Sequence, residues 1–256
     1  REYDGTTNIA AADISTITDT VNSEVLAMSG GLGTTSSANV GAYNLTDTSQ
    51  GTLILANGPS GANQGLASNY TLTGGTQDYT ITQRVLSSSG SKAYDANTNA
   101  LAADITLSNL VSGETLNHSG TASISSANAA SYTITNLAGI TLADNAGLAS
   151  NYTLTGGTHN FTVNPKVISL SGSRLYDATT DAVASDLTTI SGLVGSETLN
   201  LSGTGSVTNA NVASNKTVTL GTLALADNSG LAANYTLSGG THQLTINQRP
   251  LAATVA

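Results

Sequence analysis

The 256-residue chain carries 7 Lys and Arg against 16 Asp and Glu, a formal charge of −9, and it has no cysteine. That excludes disulfides, thiolate metal sites and a cysteine nucleophile, and the lack of any basic surplus argues against nucleic acid or an anionic membrane surface as partner. With 9% charged, 4% aromatic and 39% hydrophobic residues, the chain is too poorly charged for disorder, and no apolar run approaches the roughly 18 residues that insertion in a membrane requires.

The first element is the motif Arg1-Glu2-Tyr3-Asp4-Gly5-Thr6-Thr7. Because the chain opens inside this motif, it is expected to be a segment of a longer protein. Residues 10–17 are expected to hold one helical turn, and Val21-Asn22-Ser23-Glu24 an exposed turn. Residues 53–64, with Asn57-Gly58-Pro59-Ser60-Gly61, have loop chemistry. Next comes Leu66-Ala67-Ser68-Asn69-Tyr70-Thr71-Leu72, followed by a strand through Tyr79.

The same elements then return. Tyr-Asp recurs at Tyr94-Asp95 and Tyr176-Asp177, and Asn-Tyr at Asn151-Tyr152 and Asn234-Tyr235, the latter spaced by 82 and then 83 residues. Such a period is too long for a solenoid rung. The expected organisation is three tandem modules, 1–91 (with about nine extra residues near 53–64), 92–173 and 174–256. The helical-turn segment repeats at 101–107 and 183–190.

Within a module the strands alternate apolar and polar residues, as in Tyr152-Thr153-Leu154-Thr155, Ser131-Tyr132-Thr133-Ile134-Thr135 and Lys216-Thr217-Val218-Thr219-Leu220. Gly156-Gly157 suits a tight hairpin, which predicts Tyr152 opposite Phe161, Tyr70 opposite Tyr79 and Tyr235 opposite Leu244. Phe161-Thr162-Val163-Asn164-Pro165-Lys166-Val167-Ile168 crosses the module boundary without a Gly/Ser linker, and proline there stiffens the connection. At roughly 3.3 Å per extended residue, three modules would form a rod on the order of 100 Å. The final strand is expected over 249–255. The fold class is therefore all-β, β-sandwich-like, with one short helical turn per module at most.

Each copy repeats three carboxylates: Asp4, Asp13 and Glu24; Asp95, Asp104 and Glu114; Asp177, Asp186 and Glu197. These are the candidate calcium ligands, since calcium takes several oxygen donors. The competing reading is local: an Asp before Gly/Ala-x-Thr accepts backbone N–H bonds in an Asx-turn. No cofactor is otherwise expected. Tyr3, Tyr94 and Tyr176 are expected to be buried ring anchors rather than a glycan-stacking platform, and Asn69-Tyr70, Asn151-Tyr152 and Asn234-Tyr235 to be structural. His159 and His242, where the first copy has Gln77, are expected to be exposed on the hairpin. No Gly-x-Ser-x-Gly elbow, phosphate loop or His-Glu-x-x-His occurs, so no enzyme is expected.

A basic residue before Tyr-Asp-Gly-Thr-Thr, a later Asn-Tyr-Thr-Leu and a closing Ile-Thr-x-Arg/Lys together resemble the YDG-type repeat of bacterial filamentous-haemagglutinin-like adhesins exported by two-partner secretion. Only the first copy reads Tyr-Asp-Gly; the others read Tyr-Asp-Ala. The resemblance implies secretion, cell-surface display, adhesion and biofilm formation. It makes the leading expectation a structural stalk or spacer whose partners are neighbouring repeats of the same chain. The alternative is a lectin-like module that itself binds surface glycans or proteins.

Overall fold

The computed structural model of the chain describes residues 1–44, 48–75, 78–134 and 136–253. Glycine, asparagine and aspartate interrupt the sequence every few residues, and the strands are correspondingly short, from two to seven residues. The only helical elements among the described residues are seven 3-10 turns, so the protein is all-β. Three of these turns, Ala11–Asp13, Ala102–Asp104 and Ala184–Asp186, fall in the segments expected to hold a helical turn. No helix among the described residues is long and apolar enough to cross a membrane.

The contacts divide the chain into two compact units, Arg1–Ser88 with Leu107–Ser119 and Thr141–Thr158, and Ser89–Thr106 with Gly120–Ile140 and His159–Ala256. Their composition cuts across the division at 1–91, 92–173 and 174–256.

In the first unit, Asn8–Ala10, Leu32–Thr35 and Thr48–Ser49 form an antiparallel sheet. Leu26–Gly30 pairs with Ile54–Asn57, and Gly41–Tyr43 with Tyr79–Ile81, both antiparallel. Arg84–Val85 pairs in parallel with Tyr152–Thr153, about 70 residues further on. The stretch beginning at Arg84 thus joins a strand of the following copy. The core contains Tyr3, Ile9, Tyr79, Ile81, Leu86, Leu116 and Tyr152.

In the second unit, Ser169–Leu175 and His242–Asn247 run parallel at the centre of a four-stranded sheet, flanked antiparallel by Thr189–Ser191 and Ala213–Thr217. Burial alternates along the central strands: His242, Leu244 and Ile246 point inward and their neighbours outward. Asp181–Val183 pairs with Thr204–Ser206, and Asn200–Ser202 with Ala224–Ala226. Gly172 lies where the Ala184–Asp186 turn crosses its strand; a Cβ there would meet the Asp186 carbonyl oxygen at 1.8 Å, so only glycine fits.

The expected hairpin is not a hairpin. Gly156 and Gly239 do take positive φ, 91° and 85°, but the strands on either side go to different partners. Phe161 stands opposite Tyr132, Tyr79 opposite Tyr43, and Leu244 opposite Lys216. Tyr152 and Tyr235 instead align with Arg84 and Lys166 in parallel pairs. The reason is local: Thr153 Oγ1 accepts the Thr155 N–H and Thr236 Oγ1 the Ser238 N–H, both at 3.1 Å. These side-chain turns end the strand before an antiparallel ladder can close. The expected strand over 249–255 is likewise absent among the described residues up to 253.

Candidate functional site

The residues that recur in every copy converge where one copy meets the next. The backbone sets this up. The N–H groups of Tyr3, Tyr94 and Tyr176 bond the carbonyls of Thr82, Asn164 and Asn247, each at 2.9 Å, so all three tyrosines leave the chain from equivalent positions.

In the first unit the Tyr3 hydroxyl donates to Glu114 Oε1 at 2.5 Å, and the Tyr152 hydroxyl donates to Glu114 Oε2 at 2.7 Å. Tyr152 also accepts the Val111 N–H at 3.1 Å. The two rings meet edge to face, with centroids 5.4 Å apart and planes at 81°, a favoured aromatic geometry. One carboxylate of the second copy therefore holds a tyrosine from its own copy and one from the copy before. Gly147 makes room for it: a Cβ there would lie 2.4 Å from Glu114 Oε2. Beside the latch, Arg84 donates to the Tyr3 carbonyl at 3.3 Å and to the Asn109 carbonyl at 2.6 Å.

The second unit repeats the arrangement. Tyr94 and Tyr235 donate to Glu197 Oε1 and Oε2, both at 2.6 Å, and Val194 N–H donates to Tyr235 at 3.0 Å. The rings are again 5.4 Å apart, at 77°.

A second contact accompanies each latch. Asn151 accepts the Val40 N–H at 2.9 Å and donates to Asn39 Oδ1 at 3.0 Å. Asn234 does the same with Ala129 N–H at 2.8 Å and Asn128 Oδ1 at 3.0 Å. Asn151 and Asn234 are buried, and their bonds meet the requirement that buried polar groups be paired.

These surroundings raise the tyrosines' ionisation. Burial, and after it the hydrogen bond to Glu114, pushes Tyr3 and Tyr152 up to about 12. The same causes, with Glu197, push Tyr94 up to about 12 and raise Tyr235. The latch is thus built on protonated phenols that donate to a carboxylate.

The first copy carries the same elements in a different state of exposure. Tyr70 donates to Glu24 Oε2 at 2.7 Å and accepts the Val21 N–H at 3.0 Å, but Tyr70 is half-buried and Asn69 exposed. At the other extreme Tyr176 is 38% exposed, whereas Tyr3 and Tyr94 are 4% and 5% exposed. The expectation of buried ring anchors describes Tyr3 and Tyr94 and is corrected for Tyr176.

The other candidate residues have local partners. Asp4 accepts the Thr6 N–H at 2.9 Å and pairs with Arg1; Asp95 accepts the Asn97 N–H at 3.1 Å and pairs with Lys92 at 2.8 Å; Asp177 accepts the Thr179 N–H at 2.9 Å and pairs with Arg174. Burial raises the Asp4 and Asp95 carboxyls, yet their bonds to Thr6 and Arg1, and to Lys92 and Asn97, outweigh it and hold both below the usual value. The Thr179 N–H, followed by Arg174, holds Asp177 down to about 2. These are Asx-turns, and they bridge a left-handed residue in every copy: Gly5, Ala96 and Ala178 have φ of 78°, 62° and 67°. Asp13 accepts the Ala10 N–H at 2.9 Å, Asp104 is the last residue of the matching turn, and Asp186 lies 3.7 Å from Arg174, its carboxyl raised by burial. The structure does not bring the Asp, Asp and Glu of one copy together, and no group of three or more His, Cys, Asp or Glu residues able to hold a metal occurs among the described residues.

The histidines differ from expectation: His159 and His242 are buried. His242 Nδ1 accepts the Leu170 N–H at 3.2 Å, which leaves Nε2–H to donate to the Leu237 carbonyl at 2.8 Å. Gln77 lies outside the described residues. A cavity of about 410 Å³ opens in the first unit, lined among others by Ile14, Leu53, Leu55, Tyr70 and Tyr79.

Copies that lock onto one another through equivalent side chains define a protein of tandem all-β repeats. The chain belongs to the YDG domain family, whose model matches residues 77–160 and 158–243. Each matched stretch spans one complete set of Tyr-Asp, Glu and Asn-Tyr: Tyr94, Glu114 and Tyr152 in one, Tyr176, Glu197 and Tyr235 in the other. No curated protein and no solved structure matches the chain.

Proposed function

We propose that these repeats are the stalk of a large secreted surface adhesin, holding a distal binding region away from the cell without catalysing a reaction. The observation that carries this reading is the latch. Successive copies are joined by hydrogen-bonded side chains, buried tyrosines on part-buried glutamates, Tyr3–Glu114–Tyr152 and Tyr94–Glu197–Tyr235, where a mobile linker would leave the junction free to bend. The low charge, the lack of cysteine and membership of the YDG family fit an exported, repetitive filament. The repeats' partners are then chiefly one another.

Small-angle scattering of the chain tests this: a stiff particle is expected, and a freely bending one refutes the stalk. A second reading, that the module itself binds surface glycans, has one observation in its favour, the cavity beside Leu53 and Leu55, where the first copy departs from the others. Binding on a glycan array would replace the stalk reading with this one, and an array without binding supports the stalk.

A further inference from the structure

We infer that each repeat bears tension along the chain, its first and last strands forming a clamp that a pull loads in shear. The inference rests on strand order and not on the stalk reading, since a chain that bends freely in solution can still hold against a pull.

Tension in a chain of tandem repeats enters each one at its first strand and leaves at its last. In the third copy these strands are parallel and hydrogen-bonded to each other. Lys166–Val167 pairs with Tyr235–Thr236, and Ser169–Leu175 with His242–Asn247, Leu170 standing opposite His242 and Leu175 opposite Asn247. The Ile168 N–H on the Thr236 carbonyl at 3.0 Å and the Tyr176 N–H on the Asn247 carbonyl at 2.9 Å extend the contact. A pull on Lys166 and Asn247 thus acts at opposite ends of one ladder. Bonds between parallel strands run across the strands, so this pull slides one strand past the other and loads the bonds together. A pull applied at one end of the ladder would peel them apart one after another.

Residues 237–241 turn away between the two pairings, and side chains close the gap. Ser169 Oγ accepts the Thr241 N–H at 3.0 Å, and His242 Nδ1 accepts the Leu170 N–H at 3.2 Å. The strands Ser169–Leu175 and His242–Asn247 are the two central ones of their sheet, and Ile168, Leu170, Leu244 and Ile246 are at most 1% exposed. Water is thereby kept from replacing the bonds as they stretch.

The second copy builds the same clamp. Ser87–Ala93 and His159–Asn164 are neighbours at the centre of a four-stranded sheet. The Ser88 N–H bonds the Thr158 carbonyl at 3.0 Å and the Tyr94 N–H the Asn164 carbonyl at 2.9 Å, so the strands advance in the same direction. Ser87 Oγ accepts the Thr158 N–H at 3.2 Å, as Ser169 does for Thr241. Only Pro165 stands between Asn164, the end of this clamp, and Lys166, the start of the next. Its ring fixes φ, which leaves no slack, and tension passes from clamp to clamp.

Single-molecule force spectroscopy of the full chain tests this, and the lack of native cysteine lets the handles be placed at will. Val167→Cys with Asn247→Cys pulls at opposite ends of the ladder, and Leu175→Cys with Asn247→Cys pulls at the same end. All three side chains are exposed, and circular dichroism verifies that each pair folds. At one loading rate the first pair is expected to hold to a severalfold higher force than the second and then to release in a single step. That step is expected to be about 250 Å, from roughly 80 residues at about 3.5 Å each less about 30 Å already spanned. The unsubstituted chain, held by handles fused to its two ends, is expected to give steps of similar length as each clamp yields. Equal forces in the two geometries, or an unsubstituted chain that lengthens gradually at low force, would overturn the inference.

Discussion

Tyr3 and Tyr176 occupy the same place in the motif, share the same backbone bond, and differ in what their hydroxyls meet. Replacing Tyr3 with phenylalanine keeps the ring against Tyr152 and removes only the 2.5 Å donation to Glu114. A hydrogen bond to a charged group contributes about 1.5–3 kcal/mol, and the loss is at the upper end where the carboxylate oxygen is left without a donor. The same change at exposed Tyr176, whose hydroxyl has no acceptor among the described residues, is expected to stay within about 0.5 kcal/mol. With a urea slope of about 2 kcal/mol per molar, Tyr3→Phe moves the midpoint of its unit down by roughly 1 M and Tyr176→Phe leaves it in place. Two compact units need not unfold together, so the assay is urea titration read by hydrogen exchange in peptides covering residues 107–119 and 141–158. Tyr94→Phe should reproduce the effect in peptides around Glu197. Equal shifts for Tyr3→Phe and Tyr176→Phe would show that the carboxylate contributes nothing, and the latch would lose its energetic basis.

Alkaline titration followed by tyrosine absorbance should show Tyr3, Tyr94 and Tyr152 ionising near 12. Since the folded value lies above the ordinary 10, the latch's stabilisation is complete below pH 10 and is lost as the pH rises through about 12; a single transition near 10 would contradict it. Asn151→Ala and Asn234→Ala leave the Val40 and Ala129 N–H groups without an acceptor, at about 1–3 kcal/mol each, while Asn69→Ala should be close to neutral; equal thermal midpoints for all three would refute the assignment. Ala178→Gly relieves a left-handed alanine, φ 67°, and should stabilise by about 1 kcal/mol, seen as a higher urea midpoint; a lower midpoint would show that the turn is not strained.

What the sequence made legible was local. The all-β class, the 3-10 turns at Ala11–Asp13 and its counterparts, and the Asx-turns at Asp4, Asp95 and Asp177 depend on residues within a few positions of one another. Partner choice over long distances was not legible. Gly156-Gly157 carries a turn signal, but Thr153 ends its strand and sends Tyr152 to Arg84. His159 and His242 have polar rings, and only the packing around Leu170 and Leu237 shows that one is an internal hydrogen-bond bridge. The latch residues all stood out by recurrence, yet Glu114 and Glu197 suggested calcium ligands and the tyrosines isolated anchors. Nothing in one copy indicates that its glutamate serves the tyrosine of the copy before.

The parallel pairing of Ser169–Leu175 with His242–Asn247 also orders events in time. The Leu170 N–H must wait for a ring 72 residues downstream, so the central strand of a repeat has no parallel partner until nearly the whole repeat has followed it. Such non-local pairing folds slowly. For a chain that emerges N-terminus first, each sheet closes only when its last strand arrives. That strand also presents the carbonyl that anchors the Tyr-Asp backbone at the start of the same copy, Asn247 for Tyr176 and Asn164 for Tyr94. Completion of a sheet is therefore what secures the start of its own copy, and each repeat is closed only when its end has been made.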